Sequence, residues 1–182
     1  MKRLLANLVL SAVLLGSAGL AAQASAAALT ITKTYADVSD PIDGTVLPKA
    51  IPGAVIDYTI KVSNPNAVTV AKSIVITDSI TTTLPAGADY YVGDLAGAGP
   101  VVFTDGGVAG IGGSGLTYTY TSLASTTDSL SFSNDGGVTW TYVPTPDTDG
   151  YDAAVTNIRV SPSSNFAASG SFTLRLRIRV KK

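Results

Sequence analysis

The end of the chain alternates strictly between apolar and cationic side chains. One alternate set holds Leu174, Leu176, Ile178 and Val180, and the other holds Arg175, Arg177, Arg179 and Lys181. In an extended chain, successive side chains point to opposite faces, so each set forms one face with neighbours roughly 6.6 Å apart. The segment Phe172–Val180 is therefore predicted to form a β-strand with one apolar face and one charged face.

The same alternation recurs along the chain and predicts an all-β fold. Its clearest case is Val55–Ser63, whose apolar face is formed by Ile56, Tyr58, Ile60 and Val62. The other predicted strands are Leu29–Tyr35, Val70–Thr77, Leu116–Ser122, Leu130–Ser133, Val138–Tyr142 and Ala154–Val160. Turn-forming residues separate these short segments at close intervals, which favours an antiparallel sandwich or a barrel.

The segment 93–115 departs from the alternation. It contains nine glycines and only two short apolar runs. Glycine adopts many backbone conformations at little steric cost. This segment is therefore predicted to form a long, irregular and mobile loop.

The first 26 residues have the form of a secretory signal peptide. Lys2 and Arg3 precede an apolar stretch that runs to about Leu20, and Ala24-Ser25-Ala26 has the A-x-A form of a cleavage site. A membrane anchor that stays uncut is the alternative. No later stretch approaches the ~18 apolar residues of a membrane span. Residues 27–182 are then expected to form a single secreted domain, at the cell surface or outside the cell.

The composition argues against an enzyme. The chain contains no histidine, no cysteine and no glutamate, and most general acids, bases, nucleophiles and metal ligands come from those residue types. A hydrolase would need an aspartate pair such as Asp147 and Asp149. Without Lys2 and Arg3, ten basic residues face thirteen acidic ones, a balance that does not favour nucleic acid as a partner.

Three segments resemble a known family. Leu29-Thr30-Ile31-Thr32-Lys33 opens the domain, and residues 53–64 follow the pattern G-x-x-I-x-Y-T-I-x-V-x-N. Residues 74–80 then follow I-x-I-x-D-x-I. Together they resemble the conserved-repeat Ig-like module of bacterial and archaeal surface proteins. The resemblance covers roughly residues 29–88 and implies an Ig-like antiparallel β-sandwich in exported surface, filament or matrix proteins, here in one copy with extra C-terminal strands.

An acidic turn is the candidate metal site. Asp147, Asp149 and Asp152 surround Gly150 within six residues. Calcium prefers six to eight oxygen ligands, and carboxylates in such loops supply them. The turn lacks the complete calcium-binding loop pattern, so a solvated acidic turn is the alternative to a Ca²⁺ site.

The two terminal strands are the candidate interaction surfaces. Leu29, Ile31 and Tyr35 lie on a strand close to the predicted cleavage site, and such a strand can pair with another subunit or within its own sheet. The cationic face of Arg175, Arg177, Arg179 and Lys181 predicts a docking surface for surface polysaccharide or for aspartates of a second copy. An edge strand whose charges block aggregation is the alternative.

Two aromatic features complete the candidate sites. Ser133-Asn134-Asp135-Gly136-Gly137-Val138-Thr139-Trp140 matches the Asp-box pattern S-x-D-x-G-x-T-W. A single copy predicts a structural hairpin with Trp140 in the core. An aromatic platform for glycans would draw on Tyr90, Tyr91, Tyr118 and Tyr120, although the last two are more easily placed in the core.

These features predict an exported, non-enzymatic structural protein of the cell surface or extracellular matrix, which associates with itself through terminal strands into a filament or layer. The alternative is a surface glycan-binding or adhesion module, with Ca²⁺ in the loop 147–152. The expected partners are other copies of the chain or surface polymers.

Overall fold

A computed structural model describes residues 26–79, 87–107 and 112–182. Within these ranges the chain forms nine β-strands and no helix. They are β1 (Thr30–Ser39), β2 (Val55–Ser63), β3 (Ile76–Ser79), β4 (Ala88–Tyr91), β5 (Val101–Asp105), β6 (Leu130–Ser133), β7 (Tyr151–Asp152), β8 (Asn157–Val160) and β9 (Ser171–Val180). The predicted signal peptide lies outside the described residues except for Ala26. The described ranges offer no helix long and apolar enough to cross a membrane.

The strands form two antiparallel sheets. Among the described residues, the larger sheet has six strands in the order β1-β2-β9-β4-β7, with β5 also paired to β9. The smaller sheet has the order β3-β8-β6. The predicted all-β architecture of two antiparallel sheets is thus confirmed.

Strand β9 lies in the middle of the larger sheet. It pairs with β2 along one side, from Val55↔Arg179 to Ser63↔Ser171. Strands β4 and β5 pair with its C-terminal and N-terminal halves along the other side. Both sides of β9 are therefore hydrogen-bonded, and its interpretation as a charged edge strand is wrong.

The facing sides of the two sheets share one hydrophobic core. The predicted apolar faces of β2 and β9 are buried, with exposures of 5% or less for every member. Phe172 is fully buried, and its ring centroid lies 5.3 Å from those of both Phe103 and Phe166. Burying one such side chain stabilises a fold by about 3 kcal/mol, so the aromatic stack at the start of β9 anchors the core.

Two predicted strands do not form. Leu116–Ser122 makes only an isolated bridge between Thr117 and Ser163. Its backbone N–H groups bond instead to side chains, as Thr119 does to Ser129 Oγ at 3.0 Å. Val138–Tyr142 likewise contributes one bridge, from Tyr142 to Phe132. Local side-chain acceptors compete with a β-ladder for the same donors, and here they replace it.

Predicted boundaries also move where the backbone turns. Strand β3 begins at Ile76 and not at Val70, because Ser73 has a left-handed φ of 55° that interrupts an extended chain. Strand β8 similarly begins at Asn157 and not at Ala154.

The glycine-rich segment contains a strand that the sequence did not predict. Strand β5 pairs with β9 from Val101↔Leu176 to Asp105↔Phe172, so the prediction of an irregular loop is wrong for these five residues. The adjacent Gly106 donates to the carbonyl of Ser171 at 2.8 Å. A Cβ at Gly106 would lie 2.0 Å from Ser171 Oγ, so the close approach requires glycine. Residues 108–111 lie outside the described ranges.

Candidate functional site

Strand β1 is an edge strand with little burial. It pairs with β2 through nine residue pairs and with no other strand in the described part of the chain. Ile31 and Tyr35 lie opposite the buried Val62 and Tyr58, on the core side of the sheet, yet they are 59% and 64% exposed. Of the three predicted contact residues, Leu29 lies directly before the strand and packs against the core, and the Tyr35 ring centroid lies 6.3 Å from that of Tyr58.

Strand β1 is fixed to its own domain at both ends. The backbone N–H of Ala27 donates to the amide oxygen of Asn66, and its carbonyl accepts from the amide nitrogen, both at 2.8 Å. At the other end, the Asp40 carboxylate accepts three backbone N–H bonds from the β1–β2 connection at 2.6–2.7 Å. In between, Lys33 Nζ lies 2.5 Å from the Asp78 carboxylate of β3. The strand is thus presented as a fixed edge.

One carboxylate on this edge has no partner. Asp37 lies opposite Ile56 on the core side of the sheet. Its Oδ1 is buried without a hydrogen bond, and the ion pairs of the described residues do not include it. A buried carboxylate oxygen without a donor is unfavourable, so Asp37 has free capacity for a cation or N–H group.

The cationic face of β9 is paired with aspartates of the same chain. Asp57 of β2 accepts from Arg177 Nε at 2.7 Å, from Arg177 Nη2 at 3.1 Å and from Arg175 Nη1 at 2.9 Å. Burial alone would raise the pKa of Asp57, but the hydrogen bonds from Arg177 and Arg175 outweigh it and hold the pKa below its usual value. These arginines therefore join β2 to β9 across the outer face.

The C-terminal half of this face is paired in the same way. Arg179 bonds to Asp89 at 3.2 Å, to Asp147 at 2.8 Å and to Asp149 at 3.2 Å. Lys181 lies 3.5 Å from Asp89. An anionic partner that docked on the predicted cationic surface would have to compete with these four contacts.

The candidate calcium ligands belong to two separate networks. Asp147 and Asp149 converge on Arg179, and Asp147 also accepts backbone N–H bonds within its turn at 2.9 Å. Asp152 instead accepts from the Tyr142 hydroxyl at 2.9 Å and from two backbone N–H groups. The described residues contain no group of three acidic side chains arranged around one metal position. The Ca²⁺ site remains a prediction.

The Asp-box segment forms a turn held by Asp135. Its carboxylate accepts from Ser133 Oγ at 2.6 Å and from Thr139 N and Oγ1 at 2.9 and 2.7 Å, which lowers the pKa of Asp135 to about 2. Trp140 is only half-buried and lies outside the core, so the predicted core position is wrong. The guanidinium of Arg159 stacks on the Trp140 ring, 4.5 Å from its centroid, and holds it on the outer side of the smaller sheet.

The four candidate platform tyrosines do not form one surface. Tyr90 is fully buried and its hydroxyl donates to Asp78 at 3.0 Å. Tyr118 and Tyr120 are half-buried against the core, as the sequence favoured, and burial raises the pKa of both. They also line a cleft of about 560 Å³ with the loop around Gly99.

A second cleft, around Arg159, was missed by the sequence analysis. Arg159 lies on β8 between Thr77 of β3 and Ser131 of β6. The cleft has a volume of about 220 Å³. Its polar and aromatic lining comprises Ser125, Thr126, Ser131, Phe132, Trp140, Thr141, Tyr142 and Arg159. The only sequence signals were an isolated arginine and the tryptophan of the Asp-box, 19 positions apart, so no local pattern joined them.

Comparison of the chain with protein-family models, curated proteins and solved structures finds no match.

Proposed function

We propose that this chain is an exported, non-enzymatic structural protein of the cell surface or extracellular matrix, which associates with itself through β1 into a filament or layer. The observation that carries the proposal is the open edge of β1, a ten-residue strand whose first seven residues are exposed on both faces. The secretory form of residues 1–26 and the resemblance to Ig-like surface modules support export. The absence of His, Cys and Glu from the chain supports a role without catalysis.

An exposed edge strand favours strand pairing. Its outward N–H and C=O groups form a ready template for another strand, and soluble proteins usually protect such edges with proline, projecting lysines or bulges. Strand β1 contains no proline. Its one lysine, Lys33, bends onto Asp78 and the Tyr58 ring of its own domain. The edge has one irregularity, between Asp37 and Ser39 at its end.

The partner that fits this edge is β1 of a second copy. In an antiparallel pair centred on Tyr35, each Tyr35 lies opposite its counterpart, and Lys33 of each copy lies opposite Asp37 of the other. Opposite charges on facing positions stabilise a pair of strands. In this register, Lys33 of each copy supplies a cation to the unpartnered Asp37 carboxylate of the other copy, so the contact forms twice.

The contacts that fix β1 to its own domain disfavour the exchange of this strand between copies. To leave its own β2, the strand would have to break the contacts of Ala27 with Asn66 and of Lys33 with Asp78. Edge-to-edge addition keeps the contact of Ala27 with Asn66 and requires only the Lys33 side chain to turn from Asp78 toward Asp37 of the other copy. A two-fold pair closes on itself, so a filament or layer requires a second contact between pairs.

The test is the mass of the secreted chain as a function of concentration. Size-exclusion chromatography with light scattering, and negative-stain electron microscopy, are applied to residues 27–182. We expect concentration-dependent dimers and larger assemblies in the wild type, and a loss of both in Tyr35→Lys combined with Ile31→Lys. Val138→Lys, at a position that is 80% exposed on the Asp-box turn, is the matched control.

Two outcomes contradict the proposal. One is a monomer at every concentration. The other is an assembly that responds equally to the β1 variants and to the Val138→Lys control, because association would then occur through another surface.

A surface glycan-binding or adhesion module is the second candidate function. The two clefts, one with Tyr118 and Tyr120 and one with Trp140, favour it, since aromatic side chains beside polar groups bind sugar rings. A wild-type chain that stays monomeric would make this the preferred function.

A further inference from the structure

We infer that the cleft around Arg159 and Trp140 binds the carboxylate of an acidic sugar, as found in the uronic acid units of an anionic polysaccharide. This inference goes beyond self-association through β1 and does not depend on it. The site lies on the smaller sheet, whereas β1 belongs to the larger one.

Arg159 differs from the other arginines of the described residues in having no carboxylate partner. Arg175, Arg177 and Arg179 all bond to aspartates. Arg159 contacts the Trp140 ring, and its Nε–H is buried without an acceptor. A buried donor that lacks an acceptor is unfavourable, so the hydrogen bonding of the Arg159 guanidinium is incomplete within the described residues.

The stacking on Trp140 prepares the guanidinium for a planar acceptor. A ring that covers one face of the guanidinium restricts its rotation, and its two Nη groups, unlike Nε, are not among the buried unpaired atoms. Those edges match the two oxygens of a carboxylate in a bidentate pair. The position of Arg159 is fixed further because β8 is the central strand of its sheet.

The rest of the cleft fits a sugar. Its volume of about 220 Å³ is below the roughly 300–1,000 Å³ of sites for drug-sized ligands, so the cleft suits a ligand as small as one sugar unit. The lining combines the hydroxyl-bearing Ser125, Thr126 and Ser131 with the apolar Leu123 and Val143. Hydroxyls beside apolar and aromatic groups match the mixed surface of a sugar ring better than that of an inorganic anion.

A second copy of the chain is a poorer source of the carboxylate. Among the described residues, twelve of the thirteen aspartates accept hydrogen bonds or ion pairs, and Asp37 is the exception. Asp37 lies on β1, in a strand, and cannot enter a concave cleft without leaving its sheet.

The test uses the fluorescence of Trp140, the single tryptophan of the chain. Residues 27–182 are titrated with an oligogalacturonate, with a neutral oligosaccharide of the same length and with inorganic phosphate. We expect the oligogalacturonate to change the Trp140 emission saturably and to bind at least tenfold more tightly than the neutral sugar. Phosphate is expected not to compete at equal concentration.

Variants separate this site from general charge attraction. Arg159→Gln is expected to weaken oligogalacturonate binding at least tenfold. Arg159→Lys keeps the charge but loses the planar pair of N–H donors, and is expected to weaken binding severalfold. Lys61→Gln removes the same charge at an exposed position of β2 and is expected to bind like the wild type. Calorimetry on each variant reads affinity independently of fluorescence, and circular dichroism verifies the fold.

Four results would overturn the inference: no binding by the wild type at millimolar ligand, equal binding of the neutral sugar, full competition by phosphate, or equal losses in Arg159→Gln and Lys61→Gln. A change of assembly in Arg159→Gln without a change in sugar binding would also overturn it, since the cleft would then serve contacts between copies. Loss of sugar binding in Arg159→Gln with unchanged assembly would support the inference and would not affect the proposed self-association through β1.

Discussion

Asp57 provides the sharpest stability prediction, because one carboxylate holds two arginines. Three charge-assisted hydrogen bonds of 2.7–3.1 Å reach it from Arg175 and Arg177. Its side chain is 13% exposed, against 25% for Arg177 and 34% for Arg175. Breaking a buried pair costs about 3–5 kcal/mol, and partial exposure of the arginines reduces this to about 2–4 kcal/mol for Asp57→Asn.

The assay is thermal unfolding followed by circular dichroism. At about 2–4 °C per kcal/mol for a domain of this size, Asp57→Asn is expected to lower Tm by about 4–16 °C. Asp43→Asn is the control. It breaks the pair with Lys49, in which the side chains are 69% and 37% exposed, and such pairs contribute about 0–1 kcal/mol.

The pH dependence gives a second readout of the same contact. The pKa of Asp57 is lowered in the folded state, so its contribution to stability is present above the unfolded pKa of about 3.9. It is lost as the pH falls through the lower, folded value. The difference in Tm between wild type and Asp57→Asn should therefore shrink in acid. A Tm at neutral pH no lower than that of Asp43→Asn would refute the reasoning.

Three further predictions concern other parts of the fold. Phe172→Ala should lower the free energy of unfolding by about 3–5 kcal/mol, as is typical for truncating a buried aromatic ring. Phe172→Leu should lower it clearly less, as measured by urea unfolding. Equal losses in the two variants would contradict the aromatic packing at Phe172. Asp135 should titrate by NMR with a pKa of about 2, so the stability it contributes is lost only as the pH falls through that value; titration near 4 would contradict the turn geometry. Added Ca²⁺ should raise the Tm of Arg179→Gln more than that of the wild type, because a cation at Asp147 and Asp149 must displace the guanidinium; equal responses would contradict that competition.

The long strands could be predicted from the sequence, because one face of each is buried. The prediction of β2 agrees with its observed bounds, and that of β9 differs by one residue at its start. In both, nine or more residues alternate between core and solvent, and this pattern survives any choice of neighbouring strand.

The short strands could not be predicted, because their burial depends on distant partners. In β4, Ala88, Asp89 and Tyr90 are all buried, so the strand shows no alternation. Strand β5 lies in a glycine-rich segment, whose composition predicts a loop. It is a strand because it pairs with β9. Such strands are specified by contacts that a local pattern does not contain.

The candidate sites show the same limit. The alternation in β9 predicted a cationic face, but Asp57, which neutralises much of it, lies 118 and 120 positions from Arg175 and Arg177. The sequence favours self-association through β9 only as long as the aspartate partners of its cationic side chains are unknown. The geometry instead leaves β1 as the terminal strand with an open edge.

Disulfide crosslinking at position 35 tests self-association through β1 most directly. The chain contains no cysteine, so Tyr35→Cys introduces the only thiol. Directly opposed residues of antiparallel strands have Cα atoms about 4.5–5.5 Å apart, within the usual span of a disulfide. The control is Val138→Cys, which carries one exposed thiol far from β1 in sequence.

Mild oxidation of Tyr35→Cys at low protein concentration should give rapid and nearly complete covalent dimers, while Val138→Cys stays largely monomeric on non-reducing gels. Crosslinking at position 35 that is no faster than at position 138 would contradict the pairing of β1 with its counterpart, and with it the central claim.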